Sequence, residues 1–281
     1  FIVKDKSEKT IGIFYTDYTL RPNKGGGAWM STFRDQSKFD GEIIPLVINV
    51  CNFPPENADG VSLLSFEQVE TLFHEFGHGL HGLLSEAQYP SLSGTSVTRD
   101  YVEFPSQMME NWAREPEVIK TFAQHYQTGE TIPDALLEKI SAAGTFNEGF
   151  ATTEYVAAAH LDMAYHTNLD EIKDIDKFED NALNDLGLIP EIESRYRSTY
   201  FGHIFAGGYS SGYYSYLWTE VLEADAFEAF KEKGLFDKDT ADKLKKYVYS
   251  SGNTDDLMTQ YVRFRGKEPV IEPLLKKRGL N

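Results

Sequence analysis

Ser65-Phe66-Glu67-Gln68-Val69-Glu70-Thr71-Leu72-Phe73-His74-Glu75-Phe76-Gly77-His78-Gly79-Leu80-His81-Gly82-Leu83 is the stretch from which the rest of this chain is read. Ser65 with Gln68 three residues later is a capping-box pair, and it predicts a helix start. Phe66, Val69, Phe73, Phe76, Leu80 and Leu83 then supply its apolar positions. On such a helix His74 and His78 stand one turn apart and roughly 40° apart around the axis. Two imidazoles so placed can meet one cation at the ~2.0–2.1 Å of a zinc–nitrogen bond. Glu75 is rotated by roughly 100° from His74, too far to be an equivalent ligand. It is placed to take a proton from water at the metal, the role of a general base. Gly77 weakens the helix by about 1 kcal/mol relative to Ala. A residue this small leaves room for another segment close to the metal.

A catalytic zinc takes three protein ligands and keeps one position for water or substrate. His81 lies on the same helical face, but three imidazoles stacked along one helix cannot converge tetrahedrally. We therefore look for the third ligand on another element. Glu103 and Glu110, in Arg99-Asp100-Tyr101-Val102-Glu103-Phe104-Pro105-Ser106-Gln107-Met108-Met109-Glu110-Asn111-Trp112, are the nearest candidates. Seven residues apart, they can share one helical face, and spacing does not choose between them.

The composition sets outer limits. The chain has 281 residues, 41% hydrophobic and 14% aromatic, which excludes a disordered protein and allows a full core. With 27 Lys plus Arg against 44 Asp plus Glu, the net charge of -17 argues against nucleic acid as a partner. No apolar run approaches the ~20 residues of a membrane span. One cysteine, Cys51, rules out an intrachain disulfide, reads as a buried small hydrophobe and fits a cytoplasmic location. The chain opens Phe1-Ile2-Val3-Lys4-Asp5 without a Met, and we expect its natural N-terminus upstream.

The first fifty residues read as strands, with alternation around Ile11–Tyr18 and a β-branched run from Ile43 to Cys51. Gly25-Gly26-Gly27 marks a loop between them, and Pro45 an edge or strand start. Beyond Pro54-Pro55 the pattern becomes helical. Further helices are predicted at about 105–127, 133–143, 147–168, 175–185, 208–233, 238–250 and 254–264.

A second constellation is His203-Ile204-Phe205-Ala206-Gly207-Gly208-Tyr209-Ser210-Ser211-Gly212-Tyr213-Tyr214-Ser215-Tyr216-Leu217-Trp218. Phenols can donate to the oxygen that becomes negative when water attacks a carbonyl, each lowering a barrier by roughly 3–4 kcal/mol. The competing reading is a core stripe, because Tyr209, Tyr213 and Tyr216 fall at i, i+4 and i+7.

His74-Glu75-Phe76-Gly77-His78-Gly79-Leu80-His81, then Ser93-Gly94-Thr95, then Asp100–Trp112 resemble the thimet-oligopeptidase family of zinc peptidases. The resemblance implies a zincin-like catalytic domain, mainly α with a small N-terminal β-sheet. It implies one zinc ion per chain, held by His74, His78 and Glu103, with Glu75 as the base. Tyr216, Tyr209 and His203 then line the cleft, the two tyrosines contacting substrate and stabilising the transition state. Substrates would be short, unstructured peptides. The six-residue step from His203 to Tyr209 is similar to both bacterial branches, the peptidyl-dipeptidases and the A-type oligopeptidases, rather than to the animal neuropeptidases. The stretch Gly26–Met30 and the end Arg263–Asn281 look most like the peptidyl-dipeptidase branch. That implies release of C-terminal dipeptides, with internal cleavage of oligopeptides as the alternative and an inactive zinc-binding or interaction module as a reading of another class. Residues 1–281 would be one catalytic domain, the C-terminal part of a longer enzyme. The absent N-terminal helical portion would be its intramolecular partner.

His125, His160 and His166 read as ordinary helix histidines. The acidic clusters at 170–180 and 220–228 read as solvated faces. Arg195 and Arg197 are candidates to pair with a substrate carboxylate.

Overall fold

A computed structural model describes residues 1–280. Four strands, β1 (Ile2–Lys4), β2 (Thr10–Thr19), β3 (Trp29–Arg34) and β4 (Leu46–Phe53), form one sheet in the order β1-β2-β4-β3. β2 and β4 pair in parallel, with Phe14 opposite Val47, and the outer pairs are antiparallel. The run expected at 43–51 starts at Leu46, immediately after Pro45, which has no N–H to give to a ladder. Gly25–Gly27 lies in the connection from β2 to β3, a strand at the sheet edge. Phe14 and Val47 are buried against Leu83 of the first helix.

That helix, α1 (Phe66–Leu83), has the expected capping box: Gln68 N donates to Ser65 Oγ at 3.2 Å and Ser65 N to Gln68 Oε1 at 2.9 Å. It is followed by α2 (Arg99–Val102), α3 (Phe104–Arg114), α4 (Pro116–Phe122), α5 (Asp134–Ala143), α6 (Glu148–Thr167), α7 (Ile175–Asn184) and α8 (Gly202–Phe205). The C-terminal part comprises α9 (Ser215–Lys233), α10 (Lys238–Leu244), a π-turn at Lys245–Tyr249, α11 (Leu257–Arg265) and α12 (Glu272–Lys277). The expected class, mainly α with a small N-terminal sheet, is the observed one. The main core joins α3, α9 and α11 through Phe104, Met108, Phe227, Phe230 and Tyr261.

Three expectations are corrected. The helix expected at about 105–127 is two helices, broken at Glu115 because the residue before Pro116 is driven to an extended conformation (ψ 124°). The helix expected from 208 begins at Ser215, so Tyr209 and Tyr213 do not lie on a helical stripe. The acidic clusters are not uniformly solvated. Glu179, Glu223 and Asp225 are buried, each with a basic partner: Arg197 (2.9 Å), Lys277 (2.6 Å) and Lys267 (3.1 Å). Cys51 is buried, and desolvation pushes its thiol up to about 12.

Candidate active site

α1 and α3 lie side by side, and Gly77 is what lets them. A Cβ at this position would come within 2.6 Å of Pro105 O and Ser106 Cα. Those atoms belong to the first turn of α3, directly after Glu103. The small residue inside the histidine pair therefore admits the segment that carries the candidate third ligand.

Glu103 sits at the junction of α2 and α3, buried to 2% exposure. Its Oε2 lies 3.2 Å from His74 Nε2 and 3.1 Å from His78 Nε2. One ligand atom from each of the three side chains falls within 4.8 Å of the others. Two imidazole nitrogens and a carboxylate oxygen form a donor set suited to a divalent cation of the zinc type. Glu110, the other carboxylate weighed, approaches the opposite nitrogen of the same imidazole, with His74 Nδ1 2.6 Å from its Oε1. An N–H donated there orients the ring and leaves Nε2 for a cation.

Burial disfavours charge on His74, but the hydrogen bonds to Glu103 and Glu110 outweigh it and hold its pKa well above the usual value. Burial likewise acts against ionisation of Glu103, and the positive potential of His78 and His74 overrides it, so the carboxyl stays ionised far below its usual range. A bound cation would take over the role of those shared protons. Glu75 is buried, and desolvation raises its pKa. Its Oε2 is buried and makes no hydrogen bond to the protein, so it is free to accept a proton from a group in the cleft. His81 is fully buried, lacks a protein partner at either nitrogen and is no part of the three-donor set. Desolvation depresses its pKa to about 3.

The tyrosine segment closes the cleft. Tyr209 donates from its hydroxyl to Glu103 Oε1 and stacks on Tyr216, ring centroids 5.3 Å apart. Burial, then the negative charge of Glu103, raises the pKa of both phenols, keeping them protonated. The His203 ring is 6.1 Å from that of Tyr209 and 6.4 Å from that of Tyr216, and burial lowers its pKa. His74, Glu75, His78, Glu103, His203, Tyr209 and Tyr216 thus line one cleft of about 400 Å³, with Ala28, Trp29 and Met30 at the sheet edge.

The reading of single residues missed Asp162. It is fully buried on α6, and its carboxylate accepts from Ser211 N and Tyr213 N, both at 2.9 Å, anchoring the loop that carries Tyr209. His166 lies 2.8 Å from the same carboxylate, so this histidine has a partner although it is no ligand. Asp162 carries no sequence signal, since it looks like any polar residue of an amphipathic helix. Arg195 and Arg197 are engaged by Glu154 (2.6 Å) and Glu179 (2.9 Å).

Fold and site together define a helical, zincin-like domain with a His–His–Glu metal-binding group. The solved structure of a Pyrococcus furiosus carboxypeptidase has this fold, with a TM-score of 0.57 at 15% identity over 95% of this chain and 54% of that one. The BsuCP crystal structure matches with a TM-score of 0.54 at 17% identity, over 83% of this chain and 50% of that one. The chain belongs to peptidase family M3, whose model matches residues 1–280. It is 45% identical to dipeptidyl carboxypeptidase of Escherichia coli K12, over 96% of this chain and 40% of that protein. To oligopeptidase A of the same organism it is 37% identical, over 100% of this chain and 42% of that protein. The chain therefore spans about two fifths of the length of these curated relatives. No helix among the described residues is long and apolar enough to cross a membrane.

Proposed function

We propose that this chain is the catalytic portion of a zinc peptidase that removes dipeptides from the C-termini of short, unstructured peptides. The observation that carries the reading is the convergence of His74, His78 and Glu103 beside a buried, unpartnered Glu75 in a cleft closed by Tyr209 and Tyr216. Zinc, held by the first three, would supply Lewis acidity and acidify water. Glu75 takes the proton from the attacking water and delivers it to the leaving amine as the C–N bond breaks. Tyr216 donates to the carbonyl oxygen as it becomes negative, with Tyr209 and His203 beside it. The edge strand β3 offers free backbone groups to which an extended peptide can pair, which favours unfolded substrates.

The relatives named for dipeptide release and for oligopeptide cleavage match the same span, so the product pattern is the finer part of this proposal. So are the N-terminal helical portion as intramolecular partner, and a cytoplasmic location, for which the single cysteine speaks.

The test is peptide cleavage with product analysis by the full-length protein and by its Glu75→Gln form, each with metal content measured. Glu75→Gln is expected to keep one zinc and to lose on the order of 10²–10⁴-fold in kcat. Absence of cleavage by zinc-loaded wild type would sink the enzyme reading and leave a zinc-binding module. Products shortened by other than two residues would favour internal cleavage.

A further inference from the structure

Arg99 is an exposed residue that opens α2 four positions before Glu103, and it lines the same cleft. Its guanidinium carbon stands 4.4 Å above the centroid of the Tyr209 ring. The side chain also packs on the glycine-rich segment. A Cβ at Gly208 would meet the Arg99 guanidinium at 3.2 Å, and one at Gly212 would meet its Cγ at 3.1 Å. Gly208 has φ +79°, a conformation in which other residues are strained. Ring and glycines together hold stem and head in one course along the cleft wall.

What the guanidinium lacks is an anion. Among the described residues no carboxylate lies within 4.0 Å of it, whereas Arg195 and Arg197 both have one. No other lysine or arginine is among the residues lining this cleft. An unpaired arginine, held in place beside a reacting centre in a chain of net charge -17, is a local site for a planar anion.

The spacing says which anion. Tyr209 touches Glu103 with its hydroxyl and Arg99 with its ring face, so one tyrosine ring separates the metal-binding carboxylate from the guanidinium. An extended chain covers about 7 Å in two residues. That length carries a peptide from a scissile carbonyl at the metal to its second following residue. The geometry points to Arg99 as the residue that binds the free C-terminal carboxylate of the substrate, so that cleavage falls two residues from that end. This rests on the peptidase reading, and it makes Arg99 a specificity residue of that reaction.

The test compares one peptide as free acid and as C-terminal amide, with zinc-loaded full-length enzyme. Wild type should favour the acid by about 10- to 100-fold in kcat/KM, mostly through KM. In Arg99→Gln the acid-to-amide ratio should fall to about one. Arg99→Lys should restore part of it, because the charge remains while the two-pronged fork is lost. If wild type cleaves both forms equally, or if Arg99→Gln loses equally on both, the Arg99 assignment is overturned while the peptidase reading stands. Each acid-to-amide ratio is taken within one enzyme, so poor folding of a variant lowers both rates alike and leaves its ratio readable. Failure to cleave either form overturns the peptidase reading itself.

Discussion

His74 uses both of its ring nitrogens, and the two carboxylates that sequence spacing left equivalent divide them. Nε2 faces Glu103, and Nδ1 lies 2.6 Å from Glu110. A carboxylate behind a metal-binding imidazole sets its tautomer and its basicity. Glu110→Gln is therefore expected to weaken zinc binding by roughly 10- to 100-fold without removing the site. Competition against a graded chelator would measure it, and an unchanged affinity would show that Glu110 does not orient the ring. Spacing alone could not tell Glu103 from Glu110 for a physical reason. A seven-residue step places two side chains on one face of a regular helix, but Glu103 precedes α3, where Pro105 holds the first turn. That junction sets the two carboxylates apart, one against Nε2 of His74 and the other against Nδ1.

Two elements meet at the site through features too small to stand out in a periodicity. Gly77 allows the backbone of α3 to lie against α1. Gly77→Ala inserts a methyl group where backbone already is, so we expect a loss of roughly 1–3 kcal/mol in urea unfolding, as for other overpacked contacts. Because the displaced atoms follow Glu103, zinc affinity should fall with it. Stability lost with zinc affinity intact would mean that α1 and α3 adjust independently of the site. Asp162 binds the tyrosine loop to α6. Replacing it by Ala leaves the buried N–H of Tyr213 without an acceptor, at a cost of roughly 1–3 kcal/mol. Asp162→Ala is expected to lower kcat while zinc stays bound, since Tyr209 and not the metal ligands depends on that loop. A full zinc complement with unchanged kcat would contradict this. The same two hydrogen bonds explain why the helix read from 208 starts at 215. Ser211 N and Tyr213 N are held by Asp162, and an α-helix would have given both to preceding carbonyls.

Over the whole molecule, the chain's last helix is fastened to the centre through charge. Glu223, fully buried on α9, accepts from Lys277 of α12 at 2.6 Å and from Asn111 of α3. Asn111 is adjacent in sequence to Glu110, so the tail is tied to the helix that orients His74. Removing one partner of a buried pair strands the other, typically at roughly 3–5 kcal/mol. The Lys277 side chain is 31% exposed, and water reaching Glu223 in its absence should hold the loss to the lower end. Lys277→Met is expected to lower the thermal midpoint clearly, and Lys277→Met with Glu223→Leu to recover most of it. No recovery in the double variant would mean that the pair is not the fastening. The acidic run at 220–228 read as a solvated face because the partners of its buried members, Arg265 and Lys267 for Asp225 and Lys277 for Glu223, are 40 or more residues away in the chain.

The sequence by itself determined the helix from Phe66 to Leu83, its cap, the placing of His74 and His78 one turn apart with Glu75 beside them, and the change from strands to helices. These are local matters, set by a capping pair three residues apart and by a 3.6-residue period. Only the tertiary structure decided which glutamate faces which nitrogen of His74, how Tyr209 reaches Glu103 across 106 residues, and that Asp162 and Lys277 support the site from elements distant in sequence. Those contacts exist because helices pack at particular angles and leave particular gaps. Neither the angle nor the gap is written in the spacing of any one segment.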